Sequence, residues 1–321
     1  MKLQGLKIMV TGGAGFIGSN MISYILRKYN NTELSVIDNL STGKLEFIDA
    51  WIESPRFHFF KEDLKNKERV YHILKKFRPD IVFHFAADPD VRKGASSPEI
   101  NIKEGFLTTF YLLEAMRRAN VKNIVFSSTS TVYGIAPLNT TETYGPLLPI
   151  SIYGAAKLGA EALISSYCGS FNFKAWIFRF ANVIGPNSTH GVIFDFIKKL
   201  RKNPDVLEIL GDGQQRKSYL FVRDCISAMI YVLENDCEKK SCEIYNIGSE
   251  DTISVKEIAE IVASKMGLSP ELRYSGGRQG WIGDVPQMHL SIEKIKKLGW
   301  KPEKNSRESV ESTVDLYLKN I

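Results

Sequence analysis

The chain of 321 residues contains no apolar run near the roughly 18 residues that a membrane helix needs, so we expect no membrane partner. It also carries no signal-peptide pattern, which favours a cytoplasmic protein. Its net charge of +6 is not gathered into a basic block, and no RNA-binding signature is present. We therefore expect no nucleic-acid partner and interpret the charge as a solvated surface.

Cysteine is scarce, and its spacing does not indicate a metal site. The four cysteines are Cys168, Cys225, Cys237 and Cys242, and they form no CxxC pair. No histidine flanks Cys237 or Cys242 at metal-binding spacing, so we expect no bound metal. The pattern favours reduced, structural thiols in a cytoplasmic protein.

Hydrophobic residues make up 44% of the chain, an ordinary value for a globular protein. In the first half, apolar runs alternate with helical patterns. The runs predict strands over residues 6–10, 34–38, 57–60, 81–85 and 124–127, and the patterns predict helices over 65–77 and 102–119. This alternation predicts an α/β fold, a doubly wound parallel sheet of the Rossmann type with helices on both faces.

Beyond residue 182 the regular alternation of apolar runs and helical patterns changes. Helical patterns cover residues 192–201, 222–234 and 254–266, and a glycine-rich segment over 274–286 predicts a loop. We predict that residues 1–182 form the Rossmann domain and that residues 183–321 form a smaller α/β part. A strand over 244–247 is a candidate to rejoin the sheet of the first domain.

Residues 11–20 read TGGAGFIGSN and directly follow an apolar run. A strand, a glycine turn and a helix start form a dinucleotide-binding unit, in which Gly12 allows the tight turn, Gly15 the approach of a diphosphate and Gly18 close packing of the helix. Twenty residues past Gly18, Asp38 ends the next predicted strand. An acid there accepts hydrogen bonds from ribose hydroxyls and repels a 2′-phosphate, so the pattern predicts NAD rather than NADP as cofactor.

A tyrosine and a lysine, Tyr153 and Lys157, stand four residues apart in the string SIYGAAKLGAEAL. On a helix this spacing places both on one face, where the ammonium is expected to lower the pKa of the phenol and make it a base near neutral pH. Upstream, the string FSSTSTVYG ends a predicted strand with hydroxyls, one of which is able to bridge a substrate alcohol and Tyr153. Taken singly, the pair also fits a solvated helix face, and the hydroxyls also fit a polar strand end.

Together these strings resemble the extended short-chain dehydrogenase/reductase family, in its nucleotide-sugar epimerase/dehydratase branch. The strings that carry the resemblance are TGGAGFIGSN, DNLSTG at 38–43, EDL at 62–64, HFAA at 84–87, SSTSTVYG, YGAAK, RFANVIGP at 179–186, LGDGQQRKSYLFVRD at 210–224 and GDVP at 283–286. The resemblance covers residues 5–302, nearly the whole chain. Within the branch it is strongest to the UDP-glucose (UDP-galactose) 4-epimerases.

The resemblance implies a Rossmann domain that binds NAD and a smaller C-terminal part that binds a UDP-sugar. It implies that Tyr153, Lys157 and Thr129 are catalytic. For the cofactor site it implies Gly12, Gly15, Phe16, Ile17, Gly18, Asp38, Asn39, Leu40, Ser41, Thr42, Gly43, Asp63, Leu64, Phe85, Ala86, Ala87, Ser127, Tyr153 and Lys157. For the substrate site it implies Thr129, Asn182, Gly191, Val192, Lys217, Tyr219 and Arg278.

The strand end discriminates among the reactions of this branch. At these three positions the dehydratase pattern is Thr-Asp-Glu, because elimination of water needs an added acid and base. Residues 129–131 of this chain are Thr-Ser-Thr instead. The resemblance therefore implies reversible 4-epimerisation of a UDP-hexose through a transient 4-keto sugar, with Tyr153 as base. The alternatives are an epimerase of UDP-GlcNAc or UDP-glucuronate, a nucleotide-sugar 4-ketoreductase, and a non-catalytic NAD-binding regulator.

The chain departs from the family pattern around the expected substrate. Lys217 stands where relatives usually carry a phosphate-binding arginine, with Arg216 beside it as a candidate substitute. Gly105 stands where relatives usually carry an asparagine that points toward the nicotinamide region. Met288 occupies the position whose bulk gates N-acetylated sugars in relatives. These departures leave the sugar open.

The resemblance also implies a homodimer. Relatives usually dimerise through the helices over 102–119 and 151–170, packed as a four-helix bundle. Small and apolar side chains on these helices suit either that seam or the core of their own subunit. They are Phe106, Phe110, Leu113, Leu158, Ala162 and Ser165.

Overall fold

Strands and helices alternate along most of the chain in a computed structural model that describes residues 1–236, 240–281 and 283–319. The strands are β1 (Lys7–Thr11), β2 (Glu33–Asp38), β3 (Phe57–Lys61), β4 (Ile81–His84), β5 (Asn123–Thr129), β6 (Lys174–Phe180), β7 (Asn182–Ile184), β8 (Val206–Ile209), β9 (Arg216–Lys217), β10 (Tyr219–Phe221), β11 (Cys242–Ile247), β12 (Ile253–Ser254), β13 (Glu271–Tyr274) and β14 (Gln287–Met288). The α-helices are α1 (Phe16–Lys28), α2 (Asp49–Ile52), α3 (Lys67–Phe77), α4 (Lys93–Ser96), α5 (Pro98–Asn101), α6 (Thr108–Ala119), α7 (Ile152–Phe171), α8 (Val192–Lys202), α9 (Val222–Asn235), α10 (Val255–Lys265), α11 (Glu293–Leu298) and α12 (Ser306–Lys319). Short 3-10 turns occupy Leu45–Phe47 and Ser130–Tyr133, and a π-helical turn occupies Ile102–Leu107.

A seven-stranded parallel sheet lies at the centre of the described residues, with the strand order β11-β6-β5-β4-β1-β2-β3. Its strands are continuous apolar runs rather than alternating patterns, because helices cover both faces. Ile8, Met9 and Val10 of β1, for example, are all fully buried. The predicted Rossmann-type α/β fold is confirmed.

Two apolar cores lie on the two faces of this sheet. One contains Ile8 and Val10 of β1 together with residues of α1 and α9, and the other contains Met9 together with residues of α3, α6 and α7. Successive residues of a strand point to opposite faces, so a single strand serves both cores. In a parallel sheet the carboxyl ends of the strands meet at one edge, which is where ligands bind.

The structure contains elements that the sequence patterns do not predict. β6 is one of them, and it lies between β5 and β11. β11 includes the predicted strand over 244–247 and pairs with β6 in the central sheet. The predicted helix over 102–119 begins as the π-helical turn, and α6 starts only at Thr108, because an apolar repeat of about 3.6 residues does not distinguish the two helix types.

A third apolar core holds the C-terminal part together. It packs α8, α10 and α12 around side chains such as Phe196, Ile258 and Val310. Ser254 begins α10 in a capping box, in which its hydroxyl accepts the N–H of Glu257 and the Glu257 carboxylate accepts the N–H of Ser254. Described residues 275–281 and 283–286 contain no helix or strand, in line with the predicted loop. The domain boundary at residue 182 remains a prediction.

No helix in the described ranges is long and apolar enough to cross a membrane. Cys168 and Cys225 are buried, Cys242 is partly buried, and their thiols are free. Cys237 lies outside the described residues.

Candidate active site

The glycine turn after β1 has the shape that a bound diphosphate requires. Gly12 has a φ of +69°, and a Cβ there would lie 2.7 Å from the backbone nitrogen of Ala86. A Cβ on Gly18 would lie 2.3 Å from the carbonyl oxygen of Gly12, so only glycine lets α1 pack this close. α1 has no acidic residue in its first turn, which leaves its N-terminus positive. The residues present fit the diphosphate of a dinucleotide.

Asp38 ends β2 beside this turn and is buried. Its carboxylate accepts the N–H of Ala14 at 2.9 Å and the N–H of Leu40 at 2.8 Å. Burial raises the pKa of Asp38, and these two N–H groups oppose the rise. A carboxylate oxygen accepts more than one hydrogen bond, so Asp38 retains acceptor capacity for ribose hydroxyls.

One cavity of 710 Å³ extends from the glycine turn to the C-terminal part. Most residues that the sequence indicates line it together. They are Gly12, Gly15, Phe16, Ile17, Gly18, Asp38, Asn39, Ser41, Thr42, Asp63, Leu64, Phe85, Ala86, Ala87, Ser127, Thr129, Tyr153, Lys157, Asn182, Gly191, Val192, Lys217 and Tyr219. Leu40, Gly43 and Arg278 do not line it. Gly43 packs instead against Ala14 of the glycine turn, and Arg278 is exposed to solvent.

Tyr153 and Lys157 lie in the first two turns of α7 and line the cavity. The Ser151 hydroxyl caps this helix by accepting the N–H of Gly154 at 3.1 Å. Lys157 is only 3% exposed, and its Nζ donates to the carbonyl oxygen of Ser127 at 2.8 Å. This hydrogen bond to β5 holds the ammonium at the end of the strand.

The pKa values of this pair depart from the prediction. Burial lowers the pKa of Lys157 to about 8, although the carboxylate of Glu161, one turn later, raises it. Burial raises the pKa of Tyr153 to about 12, and the negative charge of Asp88 acts in the same direction. The predicted lowering of the Tyr153 pKa is therefore wrong for the protein alone, because desolvation dominates. A cationic cofactor in the cavity would favour the phenolate.

Hydroxyl groups, and no carboxylate, follow the end of β5. Thr129 and Thr131 both line the cavity, and their hydroxyl oxygens are 3.2 Å apart. The Thr129 hydroxyl also accepts the N–H of Thr131 and so caps the short 3-10 turn over Ser130–Tyr133. This arrangement presents a hydroxyl to the same space as Tyr153.

His84 ends the neighbouring strand β4 and is fully buried. Its ring nitrogens lie 2.7 Å from the hydroxyl of Thr11 and 3.0 Å from the hydroxyl of Thr109. Burial lowers the pKa of His84 to about 3, with a further contribution from the charge of Lys157. His84 is therefore a neutral, packed histidine and not a proton-transfer group.

Lys217 faces the cavity from β9 and pairs with a buried carboxylate. Its Nζ lies 2.5 Å from Oδ1 of Asp284 and 5.1 Å from the centre of the Trp281 ring. Neighbouring strand residues point to opposite faces, and Arg216 is exposed and pairs with Glu257 at 2.6 Å. The geometry therefore does not support Arg216 as a substitute for the phosphate-binding arginine of relatives.

Met288 and Gly105, the other two positions at which the chain departs from the family pattern, do not line the cavity. Met288 is buried in one apolar cluster with Val132 and Leu290. Gly105 lies in the π-helical turn, and the nearest atom to a Cβ there would be Cβ of Ala156 at 3.6 Å. That distance is an ordinary van der Waals contact, so the structure has room for a Cβ atom at position 105.

The cavity also contains residues that the sequence analysis did not assign to the site. Asp88, just after β4, lines it and pairs with Lys93 at 3.0 Å. Trp281, Asp284 and Tyr317 line the wall that the C-terminal part contributes. Asp284 lies within the string GDVP, so the sequence contained a motif that could have assigned it to the site. Tyr317 lies in no such motif, because it comes from α12, far along the chain from the rest of the site.

Known proteins match the chain over nearly its full length. Residues 8–248 match the family described as the NAD dependent epimerase/dehydratase family. A putative UDP-glucose 4-epimerase of Methanocaldococcus jannaschii is 33% identical over 318 residues, which cover 98% of each chain. The crystal structure of a UDP-galactose 4-epimerase is 40% identical with a TM-score of 0.86, covering 98% of this chain and 100% of that one. The structure of UDP-glucuronic acid 4-epimerase from Bacillus cereus, in complex with UDP-glucuronic acid and NAD, is 27% identical with a TM-score of 0.89, at the same coverage of 98% and 100%.

These proteins differ in the sugar that their names carry, while the two solved structures share the fold of this chain over 98% of its length. The glycine turn and Asp38 fit a dinucleotide, and NAD is the cofactor. The chain is an enzyme of the NAD-dependent epimerase/dehydratase family, to which it belongs by both sequence and structure.

Proposed function

We propose that the protein interconverts UDP-galactose and UDP-glucose by reversible epimerisation at C4, through a transient 4-keto sugar. The observation that carries this proposal is the single cavity that Tyr153, Lys157 and Thr129 share with the glycine turn. Residues 129–131 bring hydroxyls and no carboxylate to this point, which suits oxidation and re-reduction rather than elimination of water. Bound NAD supplies the reversible hydride acceptor.

Each polar side chain at the reacting carbon has a defined task in this proposal. Tyr153 accepts the proton of the sugar 4-hydroxyl during oxidation and returns a proton when the hydroxyl forms again. Lys157, fixed on the Ser127 carbonyl, keeps a positive charge close to the phenolate. Thr129 shares a hydrogen bond with the 4-hydroxyl and orients it. Positioning and an activated base then supply most of the rate acceleration.

The same residues act on both faces of the sugar, one during oxidation and the other during reduction. The 4-keto sugar turns about its diphosphate linkage and presents its other face to Tyr153. The nucleotide end would meanwhile stay on the wall formed by Asn182, Lys217 and Tyr219, which come from β7, β9 and β10. Lys217 offers a point charge to the diphosphate, shared with Asp284.

Charged side chains around Asp88 leave the choice between a hexose and a glucuronate open. Its carboxylate lines the cavity, and its charge acts on Tyr153. Lys93, the ion-pair partner of Asp88, and Arg92 line the cavity as well, so the charges in this region do not exclude a sugar with a carboxylate at C6. UDP-glucuronate and UDP-GlcNAc therefore both stay alternatives.

The test is to incubate the purified protein with UDP-galactose and catalytic NAD⁺ and to follow the sugar by proton NMR. We expect UDP-glucose to form without net production of NADH. Turnover of UDP-GlcNAc or UDP-glucuronate alone would keep the mechanism and change the sugar. A 4-ketoreductase would instead oxidise the sugar at C4 and convert NAD⁺ to an equal amount of NADH, and NAD binding without any turnover would indicate a regulator.

Tyr153→Phe tests the base directly. Because the phenol oxygen is the proposed proton acceptor, the variant should lose turnover and still bind UDP. Isothermal titration with UDP measures the binding, and the NMR assay measures the turnover. Retained turnover in this variant would contradict the assignment.

We also propose a homodimer that forms through α6 and α7. Phe110 on α6 and Ala162 and Ser165 on α7 are exposed, as an interface requires. Leu113 is fully buried in the core of its own subunit and therefore does not belong to the seam. Sedimentation equilibrium should give twice the chain mass, and a monomer mass would remove the proposal.

A further inference from the structure

A buried ion pair joins the helix that carries Tyr153 and Lys157 to the central sheet. Its partners, Glu161 of α7 and Arg179 of β6, are 4% and 3% exposed, and neither lines the cavity. Nε of Arg179 donates to Oε1 of Glu161 at 3.0 Å, and Nη2 donates to Oε2 at 2.6 Å. Burial of two charges is costly even when they are paired, so stability alone is a weak reason for this pair.

Glu161 also binds the strand that leads to the reactive hydroxyls. The Ser128 hydroxyl donates to Oε1 of Glu161. One turn earlier on α7, Nζ of Lys157 donates to the carbonyl oxygen of Ser127 at 2.8 Å. Two successive turns of α7 are thus bound to two successive residues of β5, directly before Thr129.

Arg179 extends the network across the sheet. Its guanidinium lies 4.7 Å from the centre of the Tyr133 ring, and the Tyr133 hydroxyl donates to Oδ1 of Asn246 at 2.7 Å. β6 lies between β5 and β11, so the network joins three neighbouring strands. Glu161 is therefore held through Arg179 by residues that do not take part in the cavity lining.

We propose that Glu161, held by Arg179, is a positioning residue for Lys157. It fixes α7 on β5 so that Tyr153 and Lys157 face Thr129, and its carboxylate keeps the buried Lys157 ammonium charged. The inference rests on the proposed catalytic role of Lys157.

The groups around Lys157 show why a carboxylate is needed at this place. Burial lowers the pKa of Lys157, and Glu161 is the group that opposes this effect. From β4, His84 is neutral, and Asp88 after that strand acts on Tyr153. Arg179 of β6 pairs with Glu161 and is not among the charges that act on Lys157. Without Glu161, the ammonium would stay buried and would lose the charge that opposes the effect of that burial.

The decisive variant combines Glu161→Gln with Arg179→Met. It removes both charges, while the glutamine amide oxygen still accepts from Ser128. Glu161→Gln alone would leave the Arg179 charge unpaired and endanger folding, so the double variant is the one to interpret. The matched control combines Glu243→Gln with Lys294→Met. This control removes a partly buried pair at 2.6 Å between β11 and α11, and neither of its residues lines the cavity.

Two measurements are made on each variant. One is the pH dependence of kcat with UDP-galactose, whose alkaline limb reports the loss of the Lys157 proton. The other is the titration of Lys157, followed by NMR of side-chain-labelled lysine. In the test variant both should move to lower pH by about one unit, a tenfold loss of proton affinity. Both should stay in place in the control, and Glu161→Asp should retain the wild-type titration.

If the alkaline limb of kcat and the titration of Lys157 are both unchanged in the folded test variant, the proposal is overturned and the ion pair is only structural. An equal shift in the control would overturn it too, because the effect would then not be specific to Glu161. The lysine titration needs no turnover. A wild-type protein that epimerises no UDP-sugar would therefore refute the proposed function, while the titration still tests this inference.

Discussion

Replacement of Lys157 by methionine should make the folded protein more stable near neutral pH while it abolishes turnover. The side chain is 3% exposed, and burial moves its pKa from 10.5 to about 8. This displacement corresponds to about 3 kcal/mol against the folded state, since one pKa unit is worth about 1.4 kcal/mol. Methionine fills a similar volume without a charge.

The lysine also makes a hydrogen bond that methionine cannot replace. Its Nζ donates to the carbonyl oxygen of Ser127 at 2.8 Å. Loss of such a bond costs about 1 kcal/mol or somewhat more. We therefore expect a net gain in the free energy of unfolding of about 1 to 2 kcal/mol.

The gain depends on pH with a defined sign. The pKa of Lys157 is lower in the folded than in the unfolded chain, so its charge opposes folding fully below about pH 8. The folded chain loses this proton near pH 8, and the unfolded chain loses it only near pH 10.5. The destabilisation therefore decreases between about pH 8 and pH 10.5 and is absent above that range. The advantage of Lys157→Met should shrink accordingly.

Urea unfolding of NAD-free protein at about pH 7 and about pH 10 measures both effects. Lys297→Met is the matched control, because that lysine is exposed, and its unfolding free energy should stay within about 0.5 kcal/mol of wild type at either pH. A Lys157→Met protein less stable than wild type near neutral pH would refute the reasoning. A gain that is the same at both pH values would refute it as well, because it would not come from the buried charge.

Further changes test the cofactor site and the open position 105. Gly18→Ala should weaken NAD binding at least about tenfold in a calorimetric titration, because its Cβ would lie 2.3 Å from the carbonyl oxygen of Gly12 and would push α1 from the turn. The control Gly169→Ala, with no atom within 4 Å of the new Cβ, should bind NAD normally and gain about 0.5 to 1 kcal/mol in unfolding free energy. Asp38→Asn should reduce the preference for NAD over NADP, measured as the ratio of the two Kd values, because the repelling charge is gone; an unchanged ratio would contradict this role. Gly105→Asn should raise kcat and Gly105→Ala should not, since the space is open and only the amide adds polar contact; equal kcat values would show that the amide is dispensable here.

Local patterns in the sequence determined the fold class and the cofactor end of the site. Apolar runs separated by helical patterns predict a parallel sheet, because strands covered on both faces must be apolar throughout. The spacing from Gly12 to Asp38 predicts NAD, since each residue acts through its own backbone or charge at a strand end. Tyr153 and Lys157 share a helix face because they stand four residues apart. Each of these inferences needs only neighbours in the chain.

Tertiary packing decided what such patterns do not contain. The pKa of Tyr153 rises because the fold partly buries it and places it near Asp88, 65 positions earlier in the chain, and no local pattern reports burial. Lys217 faces the cavity and pairs with Asp284, whereas Arg216 turns away, because β9 takes its orientation from β12 and β14. Glu161 meets Arg179 only because α7 packs across β5 and β6. Charge, protonation and side-chain direction thus depended on contacts between distant segments, which exist only in the folded chain.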